Sequence, residues 1–482
     1  MLKKDLGRII EEKRDFFIGL NDKLWEFAET AFVEFQSTEL LCGALEKEGF
    51  SVERATAGIE TAFCGSWGEG APVIAFLGEY DALAGLSQKG GAAEKEPLVA
   101  GGNGQGCGHN NLGAGALAAA VAFREYLESA GKSGTVRYYG CPGEEGGSGK
   151  AFMARAGVFD DVDVALTWHP GSVNAVFPFS SLANFQAAYR FKGTSAHAAA
   201  CPHLGRSALD AVELMNIGVN FLREHVIPEA RMHYAITNPG GFSPNVVQSE
   251  AEVLYLLRAP LTPQVEEIYE RVNKIARGAA LMTETELEIR FIKACANVVP
   301  NNTVEEVLFA NYTEFGVPEY SAEDIGFARS IFEKIAPSER SSDLDNYSAP
   351  GGEEGREAAR RLSERPIADE LLPYGPSDYV LPGSTDVGDV SWIVPTGQIW
   401  VATWPNHTPG HSWQVVSSGV TSLAHKGTLH AGKVLAAAAV DFFEHPGLIE
   451  RAKEELRTRL DGYSYRCAIP DDVMPKPMTA GK

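Results

Sequence analysis

The chain has 482 residues, which is too long for one ordinary core and therefore indicates two or more domains. Its formal net charge of −22 argues against nucleic acids and anionic membranes as partners. No apolar run reaches the roughly 20 residues that cross a bilayer, and the first residues lack the apolar stretch of a secretory signal. The seven cysteines are scattered and odd in number, unlike a disulfide framework. We expect a cytoplasmic protein.

Strands alternate with helices after an opening helical stretch that spans 5–49. Apolar runs predict buried strands over 73–77, 135–139 and 162–168. Helical periodicity predicts helices between and after them, over 112–126 and from 150 to 156. This alternation predicts an α/β fold with a mixed, largely parallel sheet flanked by helices.

A second module interrupts this pattern. Three strands and two helices are predicted in it, which favours a separate α+β domain over 187–300. The main domain would then comprise 1–186 and 301–482. Within its second part, the Gly- and Pro-containing stretch over 337–376 is expected to be either a mobile flap over a site or a surface loop.

Polar residues follow all three predicted strands of the main domain. They are Glu79 and Asp81 after the first, Glu144 and Glu145 after the second, and His169 after the third. Because ligands of α/β sheets lie beyond the carboxyl ends of the parallel strands, we expect these side chains on a common rim. Cys107 and His109 lie one residue apart among glycines, a spacing that lets a thiolate and an imidazole face one metal ion.

Glu144 and Glu145 are adjacent and cannot both be stable as bare anions in a cleft. A metal ion would bind one carboxylate, and the other would keep a raised pKa and act as general base. The alternative is a solvated helix N-terminus, where acidic residues are also favoured. His169, taken alone, would equally suit a histidine of the core.

Further polar residues lie downstream. His407 and His411 occur in a turn-rich segment, and the acidic residues of 383–389 would suit the orientation of a ligand. In the smaller module, a histidine, an amide and a guanidinium would suit an oxyanion and a carboxylate, or would form ordinary interdomain contacts: His197, Asn245 and Arg258.

Two glycine-containing motifs do not indicate nucleotide binding. Gly113-Ala-Gly-Ala-Leu-Ala118 fits a dinucleotide fingerprint, but no predicted strand leads into it. Gly149-Lys150 lacks the earlier glycine and the following Ser or Thr of a phosphate-binding loop. The sequence therefore gives no support for a nucleotide site.

With these motifs in order, the chain resembles the co-catalytic metallo-amidohydrolases, which include aminoacylases, zinc exopeptidases and plant auxin-conjugate hydrolases. The resemblance covers nearly the whole chain. It rests on Glu79-Tyr-Asp-Ala-Leu83, Gly106-Cys-Gly-His109, Gly143-Glu-Glu-Gly146, Trp168-His169, Gly193-Thr-Ser-Ala-His197 and Gly410-His411-Ser412. Within the family, the runs 78–83, 384–391 and 408–414 are most similar to the p-aminobenzoyl-glutamate hydrolases. Asn110 stands where the auxin-conjugate branch usually has Asp, and Gln105 where the most similar members tend to have His.

The resemblance implies two divalent metal ions per chain, manganese or zinc. The implied ligands are Cys107, His109, Glu145, His169 and His411. Glu144 would be the general base that activates water, and Asp81 and His197 would also be catalytic, with His197 acting on a neighbouring subunit's site. Asn245 and Arg258 would contact the substrate carboxylate, and the smaller module would be the inserted dimerisation (lid) domain.

The leading hypothesis is a metal-dependent hydrolase that cleaves the amide bond of N-acyl or N-aroyl amino acids of the p-aminobenzoyl-glutamate type. It would be a homodimer or would pair with a related subunit. One alternative is hydrolytic deamination of a small aromatic compound by the same activated water. Another is a non-catalytic partner subunit of the same fold.

Overall fold

Thirteen strands are present in the computed structural model, which describes residue 3 and residues 5–477. They are β1 Ser51–Arg54, β2 Phe63–Glu69, β3 Val73–Glu79, β4 Gly134–Cys141, β5 Val164–Gly171, β6 Ala175–Val176, β7 Ser180–Ser181, β8 Ala183–Lys192, β9 Arg231–Asn238, β10 Glu250–Ala259, β11 Glu286–Cys295, β12 Val380–Leu381 and β13 Thr396–Ala402. The apolar runs predicted as buried strands correspond to β3, β4 and β5.

Fifteen α-helices occur in the same described residues. They are α1 Asp5–Glu12, α2 Arg14–Phe27, α3 Phe35–Lys47, α4 His109–Ala130, α5 Gly149–Arg155, α6 Ala208–Leu222, α7 Thr262–Thr283, α8 Asn302–Phe315, α9 Ala322–Phe332, α10 Asp343–Ser348, α11 Gly352–Leu362, α12 Val387–Ser391, α13 Trp413–Ser418, α14 Ser422–Glu444 and α15 Pro446–Leu460. None of these helices is long and apolar enough to cross a membrane.

The larger sheet has the strand order β1-β2-β4-β3-β5-β13-β6. Its four central strands are parallel to one another, whereas β1, β2 and β6 pair antiparallel to their neighbours. Central parallel strands are buried on both faces, which explains why β3 and β5 are nearly continuous apolar runs. The predicted α/β class, with a mixed and largely parallel sheet, is confirmed.

Helix α4 lies close against this sheet because its first turns contain small residues. A Cβ at Gly113 would lie 2.7 Å from the carbonyl oxygen of Glu79, a distance that only glycine allows. Seven of the 22 residues of α4 are alanines, and α14, also rich in alanine, packs along it in the same buried cluster. The start of α4 therefore lies directly beside the end of β3.

A second, four-stranded sheet lies largely within 187–300, the module that we call the lid, with the order β11-β8-β10-β9 and all pairs antiparallel. Helices α6 and α7 cover one face, and their apolar side chains join the buried residues of β8 and β10. The chain enters through β8 and leaves through β11, which are neighbours, so Asn184 Nδ2 lies 2.9 Å from Cys295 Sγ. The first and last strands of this module therefore lie side by side.

The 337–376 segment is more ordered than the sequence suggested. It contains α10 and α11, whose apolar residues pack against the residues that follow β5 and β6. Leu344, Tyr347 and Leu362 are buried there with Phe177 and Phe179. The high Gly and Pro content of the segment therefore separates short helices and does not mark an unstructured loop.

Candidate metal centre

The carboxyl ends of β3, β4 and β5 meet at one edge of the large sheet. Asp81 follows β3, and His169 lies near the end of β5. Glu144 and Glu145 follow β4. The structure brings all four residues to this edge, as expected for polar residues after parallel strands.

Cys107 and His109 reach the same edge from the loop before α4. The helix begins at His109, and Gly108 has a φ of 75°, in the left-handed region that favours glycine. A Cβ at position 108 would lie 3.0 Å from the side chains of Pro170 and Trp404. The tight glycine turn therefore lets a thiol and an imidazole approach the end of β5 together.

Two groups of metal-binding atoms share the Cys107 sulfur. Atoms of Cys107, His109 and His169 lie within 4.8 Å of one another. Atoms of Cys107, Glu145 and His411 satisfy the same limit. Five side chains of ligand type therefore surround two adjacent positions. Their roles as ligands stay a prediction.

The histidine rings of the first group are oriented by acceptors on their Nδ1 atoms. His109 Nδ1 lies 2.9 Å from Asp81 Oδ1 and 3.2 Å from the Asp81 carbonyl oxygen. His169 Nδ1 lies 2.7 Å from the Pro170 carbonyl oxygen, and its ring stacks on Trp400 with centroids 4.9 Å apart. Because carbonyl oxygens only accept hydrogen bonds, each Nδ1 carries a hydrogen. The Nε2 of the neutral ring then has a lone pair with which it can bind a metal.

Backbone hydrogen bonds position the second group. The Glu145 N–H donates to Asp81 Oδ2 at 2.9 Å, so Asp81 contacts both groups. The His411 N–H donates to the Gly106 carbonyl at 2.9 Å, and His411 adopts a φ of 55°. A non-glycine residue in the left-handed region is uncommon, and such backbone strain occurs most often at functional sites.

Two buried atoms of these groups have no hydrogen bond among the described residues: His109 Nε2 and Glu145 Oε1. Glu79 Oε2 lies 3.2 Å from His109 Nε2, and His411 Nε2 lies 2.9 Å from Glu145 Oε1, but neither contact is a hydrogen bond. Buried polar atoms without a hydrogen bond require an explanation. A bound cation would satisfy both, and a set of thiolate, imidazole and carboxylate donors fits zinc or manganese.

The charges around Cys107 favour its thiolate form. Burial and the Glu145 carboxylate oppose ionisation, but His169 and His109 outweigh them and lower the pKa of the thiol from 9.0 to about 6. Burial also opposes ionisation of Glu145, yet its contact with His411 lowers its pKa to about 2. Both groups are therefore anionic at neutral pH, the form in which they bind metal ions.

Glu144 has a different environment from its neighbour. Burial, followed by the negative charges of Glu79 and Glu145, raises the pKa of Glu144 well above its usual range. Two adjacent carboxyl groups whose pKa values are driven apart can serve different chemical roles. The environment of Glu144 suits a group that accepts and holds a proton.

Two lid residues lie together but apart from this cluster. His197 is exposed, and its Nδ1 accepts hydrogen bonds from the N–H groups of Ala199 and Ala200. Its Nε2 therefore carries the hydrogen. The carbonyl of Asn245, also exposed, accepts from Ala198 N–H at 2.9 Å. Within the described chain, no hydrogen bond or ion pair connects His197 or Asn245 to the cluster.

Arg258, the third lid residue, faces the main domain. Its Nη1 donates to Ser384 Oγ at 2.6 Å, and Ser384 Oγ donates in turn to the Leu182 carbonyl. Burial lowers the pKa of the Arg258 guanidinium, although not enough to deprotonate it near neutral pH. The structure thus places a half-buried cation at the junction of the two modules.

Sequence reasoning assigned no role to two buried residues at the centre, Glu79 and Lys150. Glu79 also forms a third group of potential ligands with His109 and Glu144. Lys150 Nζ lies 2.6 Å from Glu79 Oε1 and 2.6 Å from Asp386 Oδ1. The available signals were the position of Glu79 at a strand end and the acidic segment that contains Asp386.

Three further positions from the sequence analysis, His407, Asn110 and Gln105, contact backbone carbonyl groups. The ring nitrogens of His407 lie 3.3 and 3.1 Å from two backbone carbonyl oxygens, outside the ligand groups. Asn110 Nδ2 donates to the Gly419 carbonyl at 3.0 Å, and Gln105 Nε2 to the Leu24 carbonyl at 3.3 Å. The departures at 105 and 110 therefore stabilise the loop and the start of α4.

Comparison with known proteins places the chain in a family. Residues 75–322, just over half of the chain, match the peptidase family M20/M25/M40. The chain belongs to this peptidase family. Its members are metal-dependent hydrolases, so the predicted membership of the metallo-amidohydrolases is confirmed.

The chain is 53% identical over 469 residues to one subunit of the p-aminobenzoyl-glutamate hydrolase of Escherichia coli (strain K12), covering 97% of this chain and 98% of that protein. The similarity predicted from the runs 78–83, 384–391 and 408–414 is therefore also confirmed.

Solved structures share the fold. A putative aminohydrolase from methicillin-resistant Staphylococcus aureus superposes with a TM-score of 0.61 at 16% identity, covering 92% of this chain and 100% of that one. A Bacillus subtilis protein described as a dinuclear metal-binding peptidase of the M20 family gives a TM-score of 0.54 at 19% identity, with 90% and 99% covered. At these identities the likeness concerns the fold alone.

Proposed function

We propose that the protein is a cytoplasmic two-metal hydrolase that cleaves the amide bond of N-acyl or N-aroyl amino acids, including substrates of the p-aminobenzoyl-glutamate type. The observation that carries this proposal is the pair of ligand groups that share Cys107, with Glu144 beside them and outside both. The name of the Escherichia coli relative supports the substrate class. The seven free cysteines suit a reducing compartment.

The proposed ligands are those of the two groups: Cys107, His109, Glu145, His169 and His411. Zinc suits the thiolate, and manganese suits the imidazole and carboxylate donors. When bound, the two ions would polarise the amide carbonyl and make an attacking water more acidic. Asp81 would keep His109 and Glu145 in position through its two oxygens.

Glu144 is proposed as the general base. It would take the proton of the attacking water at its carboxylate and then give it to the leaving amide nitrogen. Its raised pKa, caused by burial and by neighbouring carboxylates, stabilises the protonated state between these two transfers. The absence of Glu144 from both thiolate-containing groups leaves its carboxylate available for this role.

The lid would complete the site. We propose that 187–300 forms a dimerisation (lid) domain inserted between 1–186 and 301–482. His197 would donate from Nε2 to the oxyanion in a neighbouring subunit's site, since it contacts no ligand group in its own chain. Asn245 and Arg258 would bind the substrate carboxylate.

The proposed assembly is a homodimer or a pair with a related subunit. Strand β9 is at an edge of the lid sheet and exposes Tyr234 and Ile236. Helix α6 of the same module exposes Ile217 and Phe221. An unpaired edge with apolar side chains favours pairing with another chain. The Escherichia coli relative is itself named as a subunit.

The test is Glu144→Gln, with the exposed Glu60→Gln as control. Glu144→Gln should lower turnover of N-acyl amino acids by about 10²- to 10⁴-fold, the usual contribution of a general base, and leave metal content unchanged. The substrates would include p-aminobenzoyl-glutamate and indoleacetyl-aspartate, with free amino acid and ammonia measured separately. Undiminished turnover would refute the base assignment, and ammonia as the only product would favour deamination.

A further inference from the structure

Three charged side chains are buried together behind His109. Lys150, Glu79 and Asp386 are each no more than 2% exposed. The Lys150 ammonium lies 2.6 Å from one oxygen of each carboxylate, and its backbone N–H donates to Asp386 Oδ2 at 2.8 Å. The Asp386 carboxylate therefore contacts both the backbone N–H and the ammonium group of Lys150.

The second oxygen of Glu79 is directed toward the metal centre. Glu79 Oε2 lies 3.2 Å from His109 Nε2, and Asp81 Oδ1 lies 2.9 Å from Nδ1 of the same ring. A carboxylate therefore faces each nitrogen of His109. Because Lys150 occupies Oε1, the Glu79 carboxylate is fixed in the orientation that presents Oε2 to the ring.

We infer that Lys150 is a positioning residue of the metal centre, where it fixes the Glu79 carboxylate beside the proposed ligand nitrogen of His109. This inference rests on the proposed two-metal function. Lys150 contacts none of the proposed ligands and acts through Glu79, while Asp386 anchors its ammonium. Partners outside the ligand shell orient the ligands and tune their affinity for the metal.

A buried ion pair can also exist only to neutralise charge within the core. The two roles differ in one measurable respect. If Lys150 acts through Glu79, removal of Lys150 should affect metal binding only while the Glu79 carboxylate is present. If Lys150 is merely part of the core, its removal should have the same effect whether or not Glu79 is charged. A double-mutant cycle separates these cases.

The experiment uses Glu79→Gln, Lys150→Met and the double variant in the full chain. Zinc affinity is measured by competition with a chelating dye, and coordination by the absorption spectrum of the cobalt-loaded protein. Each single variant should weaken zinc binding by about 10- to 100-fold and shift the cobalt bands. The double variant should bind zinc no more weakly than whichever single variant has the lower zinc affinity.

The control is Lys426→Met, which removes another lysine paired with a buried carboxylate, that of Asp324 at 2.6 Å. It should lower stability and leave zinc affinity and the cobalt spectrum unchanged. If Lys150→Met does not fold, Asp386→Asn takes its place in the same cycle.

Two results would overturn the inference. One is wild-type zinc affinity in the folded Lys150 or Asp386 variant. The other is an equal loss of affinity in the presence and absence of the Glu79 carboxylate. If the unmodified protein bound neither zinc nor cobalt, the two-metal function itself would fail, so this failure is distinguishable from the others.

Discussion

Asp81 connects the two ligand groups through both of its carboxylate oxygens. One oxygen lies 2.9 Å from His109 Nδ1, and the other accepts the Glu145 N–H at 2.9 Å. Asp81 is 1% exposed, so these contacts are shielded from water. A single carboxylate therefore fixes the orientation of one proposed ligand in each group, although it belongs to neither.

Asp81→Asn should weaken metal binding by about 10- to 100-fold, because an amide offers one acceptor oxygen where the carboxylate offers two. Zinc titration against a chelating dye measures this effect. Asp160→Asn, at an exposed position of the same domain, should bind zinc normally. Normal affinity in Asp81→Asn would show that the ligands are positioned without it.

The prediction of individual residues from sequence depended on local signals. Cys107 and His109 were singled out as candidate ligands because their spacing and glycines suit a metal, and His169 because it follows a predicted buried strand. Lys150 was missed because its partner Asp386 is distant in sequence, so no local pattern reveals the pair. His197 was placed at a site by resemblance, and the geometry of one chain leaves that role a prediction.

Helix α14 contains a buried histidine whose charge is disfavoured. His430 is 5% exposed, and its Nε2 lies 2.8 Å from the Gly316 carbonyl oxygen. Burial lowers the pKa of His430 from 6.5 to about 4, because the packing against α8 removes the water that would solvate a cation. The folded protein therefore holds this histidine in its neutral form.

This environment makes stability depend on pH. The unfolded chain binds the His430 proton below about pH 6.5, whereas the folded chain binds it only below about pH 4. The stabilising contribution of the neutral histidine is complete above about pH 6.5 and is lost as the pH falls. From about pH 7.5 to about pH 4.5, the free energy of unfolding therefore decreases by about 2 to 3 kcal/mol. In urea unfolding, the free energy of unfolding of His430→Gln should change less between these pH values than that of the wild type, by this amount.

The matched control for that measurement is His225→Gln, since His225 is an exposed histidine of the lid. It should show the pH dependence of the wild type. Equal pH dependence in the His430 variant and the wild type would mean that the buried histidine is not the source.

Elements with strong periodicity were predicted well, and short or exposed ones were not. The long helices α4, α6 and α7 and the buried strands β3 and β5 had continuous patterns. Strand β9 was missed because only Met232 among its residues is buried, which removes the alternation that signals a half-buried strand. Strand β13 was not predicted, although it contains the apolar run 399–402; only its place between β5 and β6 depends on distant strands.

The surface proposed for assembly belongs to the lid. The exposed edge of β9 and the exposed apolar residues of α6 lie on the lid, at a distance in sequence from the metal centre. If His197 acts on a neighbouring site, catalysis requires association, while metal binding by one chain does not. On the proposed function, assembly and metal binding are therefore separable.

Ile236→Lys should convert the proposed dimer into monomers, because a charged side chain on an edge strand disfavours pairing. Sedimentation velocity measures the change, and turnover should fall with dissociation while metal content stays constant. Ile325→Lys, at an exposed apolar position of α9, should leave assembly and turnover unchanged. A dimeric Ile236 variant, or a monomeric wild type with full turnover, would contradict the proposed assembly.

The place of β13 in the large sheet has a consequence for synthesis on the ribosome. It pairs with β5 and β6, yet the entire lid is translated before Thr396–Ala402 is made. Until then, the apolar strand β5 has an unpaired edge in the nascent chain. Unpaired strand edges promote aggregation. Yield on expression should therefore depend on conditions that protect the incomplete chain during this interval, such as slow synthesis at low temperature or abundant chaperones.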